Sequence, residues 1–260
     1  MGTATITKSR IEMELQPPVA RLRLQNHPLN VIDILMMEEL AAALAEIEAN
    51  PAIVSIVVSG SQKAFSVGVD VAAHTPDKVE QMLAKFHSVI RALVASKKVT
   101  IATVHGHCLG GGAELAMVCD LVYTSELATW GFPEIKLGCY PPVAVTALAA
   151  LVGQKQAADL VLTGRSITGR EAAEIGLANW AAPDVEVDAV AQESVERLKQ
   201  LSPAALAVTK KAIYAWDSIH FDKGLARAEK IYFEELMRTC DAQEGINAFL
   251  EKRQPKWTGK

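Results

Sequence analysis

The sequence predicts an α/β fold, and three observations support this prediction. Short runs of β-branched, apolar residues at 53–60, 99–104 and 121–125 are typical of strands that are buried on both faces. Helix-like patterns separate these runs, and strands that alternate with helices indicate a layered core around a parallel sheet. Of the 260 residues, 50% are hydrophobic and 22% are charged, which is the composition of a globular protein.

Two short strands are predicted near the start of the chain. Residues 11–15 and 19–24 alternate between apolar and polar side chains, as strands with one buried face do. Pro17-Pro18 lies between the two runs and cannot extend a paired strand, so it predicts the connection that joins them.

Helical patterns surround the buried strands. Asp33 is a suitable N-cap for the stretch LMMEELAAALAEIEAN, and Asn50-Pro51 ends that helix. A second helical pattern covers residues 77–96, after the loop KAFSVGVDVAAH. The strand at 99–104 is followed by a glycine run that opens a third helix.

The pattern changes at the end of the chain. SPAALAVTKKAIYAW, FDKGLARAEKIYFEELMRTCD and AQEGINAFLEKRQPKW are three successive helical patterns with no strand between them. Ser202-Pro203 supplies an N-cap and a first helical residue. We therefore expect a core at residues 1–201 and a helical region at residues 202–260. A helical arm cannot bury its apolar face alone, so this region should dock on the core or on another subunit.

Charge and cysteine content exclude several classes of function. The net charge is −4 with no block of basic residues, which argues against nucleic acid or an anionic membrane as a partner. No apolar run reaches the roughly 18 residues of a membrane span, and MGTATITKSR lacks a signal-peptide core, so a cytoplasmic protein is predicted. No CxxC pair is present, so we expect no metal or redox cofactor and buried free thiols. The cysteines are Cys108, Cys119, Cys139 and Cys240.

Two glycine-bearing loops, KAFSVGVD and HGHCLGGGAE, each follow a buried strand. The glycine run fits neither the GxGxxG dinucleotide pattern nor a P-loop. Glycines allow close approach of backbone to a ligand, and the free N–H groups at a helix start favour negative charge. One N–H from each loop would make a two-donor oxyanion hole that stabilises an enolate. The alternative is that these glycines serve only tight packing of helix on sheet.

Two carboxylates accompany these loops. Glu114 lies in the first turn of the helix that the glycines open, and Glu134 lies in the apolar stretch FPEIKLG. Addition of water to an activated double bond needs one group that takes a proton from water and another that gives a proton to carbon. Two close carboxylates cannot both ionise easily, so one of them should stay protonated near neutral pH. The alternatives are a helix-dipole role for Glu114 and a solvated loop acid at Glu134.

These residues resemble the crotonase superfamily, the enoyl-CoA hydratases and isomerases. The resemblance covers nearly the whole chain and rests on several motifs in the right order. They are KAFSVGVD, HGHCLGGGAELAMVCD, WGFPEIKLG, LVLTGRSITGREAAEIGL and GINAFLEKR. The resemblance implies a ββα superhelical core, C-terminal helices that build trimers or hexamers, and an acyl-CoA thioester as substrate, with no cofactor beyond the coenzyme A of that substrate.

The same resemblance assigns roles to particular positions. The backbone N–H groups of Val69 and Gly111 would form the oxyanion hole, and Glu114 and Glu134 match the two catalytic glutamates of the hydratases. The residues that would border the CoA arm and the thioester are Ala64, Phe65, Ser66, Gly68, Asp70 and Gly110.

The sequence departs from the family pattern beside the second glutamate. Family hydratases carry a glycine after the first proline of this stretch, and its N–H can hold the attacking water, whereas Pro142 has no N–H. Phe132 stands where many hydratases have glutamine. Trp130, Phe132, Tyr140 and Pro142 together predict a compact, apolar acyl pocket, although packing alone would also explain them.

The stretch FPEIKLGCYPPVA further resembles the cyclohexa-1,5-diene-1-carbonyl-CoA hydratases of anaerobic aromatic degradation. The predicted function is therefore hydration of a cyclic dienoyl-CoA, with a displaced water site that suits 1,4-addition. One alternative is an ordinary short-chain enoyl-CoA hydratase or isomerase. An alternative of another class is a scaffold that binds acyl-CoA without catalysis.

Overall fold

The computed structural model describes residues 9–258, apart from the side chains of residues 215–220. The strands are β1 (Ile11–Gln16), β2 (Val19–Leu24), β3 (Ser55–Ser59), β4 (Ala64–Ser66), β5 (Val99–Val104), β6 (His107–Leu109), β7 (Leu121–Ser125), β8 (Thr129–Gly131), β9 (Ser166–Thr168) and β10 (Trp180–Ala182). The α-helices are α1 (Ile34–Ala49), α2 (Val79–Ala95), α3 (Gly111–Met117), α4 (Pro142–Val152), α5 (Gln154–Thr163), α6 (Gly169–Glu174), α7 (Val187–Lys199), α8 (Pro203–Glu234) and α9 (Cys240–Leu250). Short 3₁₀ helices lie at Val71–His74, Pro133–Leu137, Asp184–Glu186 and Leu236–Arg238.

Two sheets organise the described residues. The larger sheet has the order β1-β2-β3-β5-β7-β10 and is parallel except for the antiparallel pair β1 and β2. The smaller sheet has the order β4-β6-β8-β9, with β9 antiparallel to β8. The three strands predicted to be buried are β3, β5 and β7 at the centre of the larger sheet, which confirms the predicted α/β class.

The core repeats one unit, in which a strand of the larger sheet is followed by a strand of the smaller sheet and then by a helix. The units are β3-β4-α2, β5-β6-α3 and β7-β8-α4. Because β4, β6 and β8 pair in parallel, the segments that follow them begin at one edge of the smaller sheet. This edge brings together both glycine-bearing loops and the segment that carries Glu134.

Helices α1 and α2 lie where the sequence predicts them. Asp33 caps α1 by accepting a hydrogen bond from the Met36 N–H at 2.9 Å, and α1 ends at Asn50. Helix α2 buries one apolar face that includes Met82, Phe86 and Ile90. None of the described helices has the length and hydrophobicity that a membrane span requires.

The C-terminal region corrects one detail of the prediction. The first two predicted helices are a single helix, α8, of 32 residues. Residues 216–222 contain no proline or glycine, so the backbone has no residue there that stops a helix. Helix α8 packs on the core of its own chain, since Lys210 Nζ lies 2.7 Å from Asp120 Oδ2, and the Tyr140 hydroxyl donates to the Ala228 carbonyl.

Candidate active site

The loop after β4 presents the N–H of Val69 toward the edge of the smaller sheet. Val69 forms an isolated parallel bridge with Ile32, in which Ile32 N–H donates to Gly68 O at 2.9 Å and Asp70 N–H donates to Ile32 O at 3.1 Å. Successive N–H groups of extended chain point in opposite directions. The bridge therefore uses groups of Gly68 and Asp70 and leaves the Val69 N–H directed away from Ile32.

The loop after β6 places a second N–H beside the first. Gly111 is the first residue of α3, so its N–H has no acceptor within the helix. A Cβ atom added to Gly111 would lie 3.4 Å from the Val69 nitrogen, and one added to Gly68 would lie 3.2 Å from the Gly111 nitrogen. Gly68 and Gly110 adopt φ values of +102° and +52°, which favour glycine. The structure thus brings the two predicted oxyanion-hole donors together.

Glu114 is buried in the first turn of α3 and is fixed by the start of α4. Its Oε1 accepts hydrogen bonds from the Val143 N–H at 2.8 Å and from the Ala144 N–H at 2.9 Å. Pro142 is the first residue of α4, a position at which no helical hydrogen bond is lost. Pro142 has no N–H that could hold a water molecule. The next two N–H groups of the chain donate to Glu114 instead.

Glu134 reaches the same place from the 3₁₀ helix Pro133–Leu137. A Cβ atom on Gly110 would lie 2.7 Å from Glu134 Oε1, so only glycine lets the carboxyl group come this close to the loop. Glu134 Oε2 is buried, and it has no hydrogen-bond partner among the described residues. Glu114 and Glu134 therefore both lie at the glycine turn, with different hydrogen-bond environments.

The two environments give the carboxyl groups different affinities for a proton. Burial raises the pKa of Glu114 to about 7, and the two N–H donors act against this rise. Burial and the nearby charge of Glu114 raise the pKa of Glu134 to about 8. The direction follows from the contacts, because hydrogen-bond donors stabilise an ionised carboxylate and Glu134 has none on Oε2. A proton held by the pair therefore favours Glu134 over Glu114.

This pair makes stability depend on pH, and the sign follows from linkage. The folded protein keeps a proton that the unfolded chain releases above its normal pKa of 4.5, so stability falls as pH rises toward the folded pKa of about 8. Glu134→Gln removes this titration. We expect the variant to lose less unfolding free energy than the parent between about pH 5 and about pH 9, by on the order of 1 kcal/mol or more. Urea unfolding at both pH values measures the difference; parallel losses would contradict it.

Buried side chains fix the conformation of the predicted CoA-binding loop. The side chains of Ala64, Phe65 and Ser66 are fully buried, and Asn30 Nδ2 donates to the carbonyls of Ala64 and Phe65 at 3.0 and 3.1 Å. These three side chains have no surface to offer to a CoA chain. They fix the conformation of the loop, and the prediction that these residues border the CoA arm stays a prediction.

The remaining residues of that loop keep it in shape through hydrogen bonds. Ser66 Oγ accepts from the Gly68 N–H at 3.0 Å, and Asp70 caps the following 3₁₀ helix by accepting from the Ala72 N–H at 3.1 Å. Gly68 and Asp70 thus hold Val69 between them, and their contact with a CoA arm stays a prediction.

The predicted acyl-pocket residues separate into two groups. Pro142 starts the helix that holds Glu114 and therefore lies close to this carboxyl group, whereas Tyr140 donates its hydroxyl to Ala228 O on α8 at 2.5 Å. Phe132 is buried next to the segment of Glu134. Trp130 is fully buried, and its indole N–H donates to Thr124 Oγ1 on β7 at 2.9 Å, so it fits the packing alternative better.

Helix α8 adds residues to this region that the sequence did not reveal. Tyr232 is buried, its ring meets that of Tyr140 edge to face at 5.2 Å, and its hydroxyl forms a hydrogen bond with the Cys139 thiol. Leu225, Ala228 and Tyr232 follow the spacing of one helix face and are all buried. That spacing was a signal in the sequence, although nothing in it indicates which part of the core the face covers.

Comparison with known proteins identifies the class of protein that has this fold and site. A family model described as Enoyl-CoA hydratase/isomerase matches residues 14–260. The chain belongs to this family, and the predicted enzyme of the hydro-lyase class is confirmed.

Individual relatives narrow the comparison. The cyclohexa-1,5-dienecarbonyl-CoA hydratase of Thauera aromatica is 35% identical over 251 residues, which cover 96% of this chain and 97% of that relative. A probable enoyl-CoA hydratase of Bacillus subtilis (strain 168) is 33% identical and covers 96% of this chain and 99% of that relative. The crystal structure of carnitinyl-CoA hydratase from Mycobacterium avium has a TM-score of 0.86 at 30% identity, with 98% of this chain and 100% of that chain covered. The crotonase-like fold is therefore confirmed.

Proposed function

We propose that this protein adds water to a conjugated acyl-CoA thioester, and that its substrate is the cyclic diene cyclohexa-1,5-diene-1-carbonyl-CoA. One observation carries the proposal: two main-chain N–H groups from separate loops lie beside two buried carboxyl groups, of which Glu114 accepts two hydrogen bonds and Glu134 has an oxygen with no partner among the described residues. An oxyanion site and an acid–base pair are the two parts that hydration through an enolate requires.

The chemistry assigns one task to each group. The N–H groups of Val69 and Gly111 donate to the thioester oxygen and stabilise the enolate, each by about 3 kcal/mol. The ionised Glu114 removes a proton from water as the oxygen of that water bonds to the β carbon. The protonated Glu134 gives its proton to the α carbon when the substrate is a linear enoyl thioester.

A cyclic diene changes the carbon that receives the proton. In 1,4-addition the hydroxyl group and the proton join opposite ends of the diene, and the remaining double bond moves between them. The hydroxyl group still joins the β carbon, whereas the proton joins the ring carbon two bonds beyond the α carbon. The displaced water site expected from Pro142 is therefore unnecessary, because 1,4-addition displaces the site of protonation.

Two features support the cyclic substrate. The named function of the Thauera aromatica relative is hydration of this diene, and that relative aligns with nearly the whole chain. The apolar surroundings of the carboxyl pair, with Phe132, Tyr140 and Pro142, suit a compact hydrocarbon ring. Substrate identity and a place in aromatic degradation rest on these two features.

The competing functions rest on weaker observations. A short-chain enoyl-CoA hydratase or isomerase is favoured by relatives such as that of Bacillus subtilis, which is named only a probable enoyl-CoA hydratase. A non-catalytic acyl-CoA scaffold would not need Glu134 Oε2, a buried oxygen without a partner among the described residues, which destabilises the fold.

A panel of CoA thioesters tests the proposal. The purified protein is incubated with cyclohexa-1,5-diene-1-carbonyl-CoA and with crotonyl-CoA, and hydration is followed by ultraviolet absorbance and product mass. The proposal requires a higher kcat/KM for the cyclic diene than for crotonyl-CoA. A preference for crotonyl-CoA supports the ordinary hydratase, and binding without turnover supports the scaffold.

We also propose that the chain assembles into trimers, or into hexamers made of two trimers, through its C-terminal region. Several large apolar side chains of this region are exposed in the single chain. They are Val208, Ile213, Phe249, Leu250 and Trp257. Burial of such residues favours association. Light scattering should give the mass of three or six chains of 28.0 kDa; a monomer would contradict the proposal.

A further inference from the structure

A buried histidine of α2 has a carboxylate on one side and a ring nitrogen without a partner on the other. His87 of α2 is fully buried, and its Nδ1 lies 2.6 Å from Glu229 Oε1 of α8. Arg91 Nη2 donates to the same Glu229 oxygen at 3.2 Å. His87 Nε2 is buried, and no described residue provides it with a hydrogen-bond partner.

The residues that precede His87 and Glu229 in the chain both contact residues of the proposed site. The ring of the preceding residue, Phe86, has its Cζ 3.2 Å from the position of a Cβ on Gly111, and its centroid is 6.0 Å from that of His87. On α8, Glu229 follows Ala228, the residue whose carbonyl accepts the Tyr140 hydroxyl. His87 thus follows a residue that packs against the oxyanion loop, and its partner Glu229 follows a residue that binds Tyr140.

The hydrogen bonds determine what His87 can do. The hydrogen bond from His87, together with the positive charge of Arg91, lowers the pKa of Glu229, so Glu229 accepts from Nδ1 as a carboxylate. A carboxylate that holds Nδ1–H fixes the orientation of the ring and leaves Nε2 free to give or take a proton. A buried polar atom without a partner destabilises the fold, and a substrate contact would recover this loss.

We propose that His87 is a third catalytic acid–base residue, and that it gives the proton to the far ring carbon in 1,4-addition. The inference rests on the proposed function. The Nε2–H bond breaks and its proton forms the new C–H bond at the far carbon, while the electron pair of the dienolate shifts the double bond. Before the next turnover Glu114 releases to solvent the proton taken from water, and solvent returns one proton to Nε2. Glu134 keeps its proton in this reaction.

Crossed variants and substrates test this assignment. His87→Gln should lower turnover of cyclohexa-1,5-diene-1-carbonyl-CoA at least about a hundredfold and leave turnover of crotonyl-CoA within about threefold of the parent. Glu134→Gln should show the opposite preference, since crotonyl-CoA takes its proton at the α carbon. The exposed residue His27 supplies a matched control, and His27→Gln should leave both rates unchanged.

A second variant and a stability measurement keep the test decisive. Glu229→Gln keeps the imidazole but removes its carboxylate, and we expect roughly a tenfold loss on the cyclic diene alone. Thermal unfolding of each variant shows whether a loss of rate comes from misfolding. If His87→Gln does not fold, the rates of Glu229→Gln on the two substrates test the role of His87. Equal losses on both substrates, or no loss on the cyclic diene, overturn the role of His87. If the parent protein does not hydrate the cyclic diene, the proposed substrate is wrong as well.

Discussion

Replacing Glu114 by glutamine is expected to lower turnover at least about a hundredfold while the fold stays intact. The glutamine carbonyl can still accept from the N–H groups of Val143 and Ala144, which lie 2.8 and 2.9 Å from Oε1. The start of α4 therefore keeps its acceptor. An amide cannot take a proton from water, so the base is lost. Turnover of the preferred thioester and calorimetric binding of a saturated acyl-CoA measure the two effects separately, and binding should change little.

Two further variants separate the acceptor from the base. Glu114→Ala removes both, so it should lose about 1 kcal/mol of stability in addition to the rate, as helix N-termini do when they lose an acceptor. Glu126→Gln is the matched control, because Glu126 makes a surface ion pair with Arg170 at 2.8 Å and should affect neither property. Parent-like turnover in Glu114→Gln would show that Glu114 is not the base.

The asymmetry between the two glutamates comes from contacts that are distant in the sequence. The sequence places Glu114 behind a glycine run and Glu134 behind a proline, which suffices to predict two acids at one site. It leaves their roles open, because the donors to Glu114 come from Val143 and Ala144, about 30 residues further on. The structure supplies this difference in contacts, and the proposed direction of proton transfer rests on it.

The secondary structure is predicted correctly where residues close in the sequence determine it. Strands β3, β5 and β7 are β-branched runs whose burial depends on little else, and the cap at Asp33 needs only its own helix. The three-residue strands β4, β6 and β8 were not predicted, because three residues cannot show a period. Only their pairing with one another makes them strands.

Residues that act through tertiary contacts escaped prediction for a related reason. His87 and Glu229 are 142 positions apart, and neither lies in a recognisable motif. Phe65 and Ser66 lie in the motif KAFSVGVD, which suggests a ligand contact, yet the structure buries them to fix the loop. A motif thus identifies the loop at the candidate site, whereas tertiary packing determines which atoms of that loop are accessible to a ligand.

Replacing Gly111 by alanine is expected to lower kcat by about a hundredfold to a thousandfold, the range found when one oxyanion donor is lost. The added Cβ would lie 2.8 Å from Val69 Cγ2, 3.2 Å from Phe86 Cζ and 3.4 Å from the Val69 nitrogen. It would therefore stand in front of the Val69 N–H and crowd the thioester oxygen. Gly111 does not have a positive φ, so backbone strain does not explain the loss.

A second substitution separates the blocked donor from the crowded packing. Val69→Ala removes Cγ2, the atom closest to the new methyl group, and should restore much of the stability that Gly111→Ala loses. The methyl group still lies 3.4 Å from the Val69 nitrogen, so the rate should not recover. Gly153→Ala is the control for a methyl group added to a glycine. Gly153 has φ +80° with nothing within 4 Å, so it should lose about 1 kcal/mol of stability and no activity.

Thermal unfolding and single-turnover rates of the four proteins of this cycle give the answer. If the oxyanion hole is built from Val69 and Gly111, the double variant regains stability because Val69 Cγ2 is gone. Its rate stays low because the added methyl group at position 111 is still present. Recovery of the rate in the double variant would mean that Gly111→Ala acts by pushing the two loops apart. In that case the N–H of Val69 would not be the donor that the thioester oxygen needs, since it would remain covered while catalysis returned.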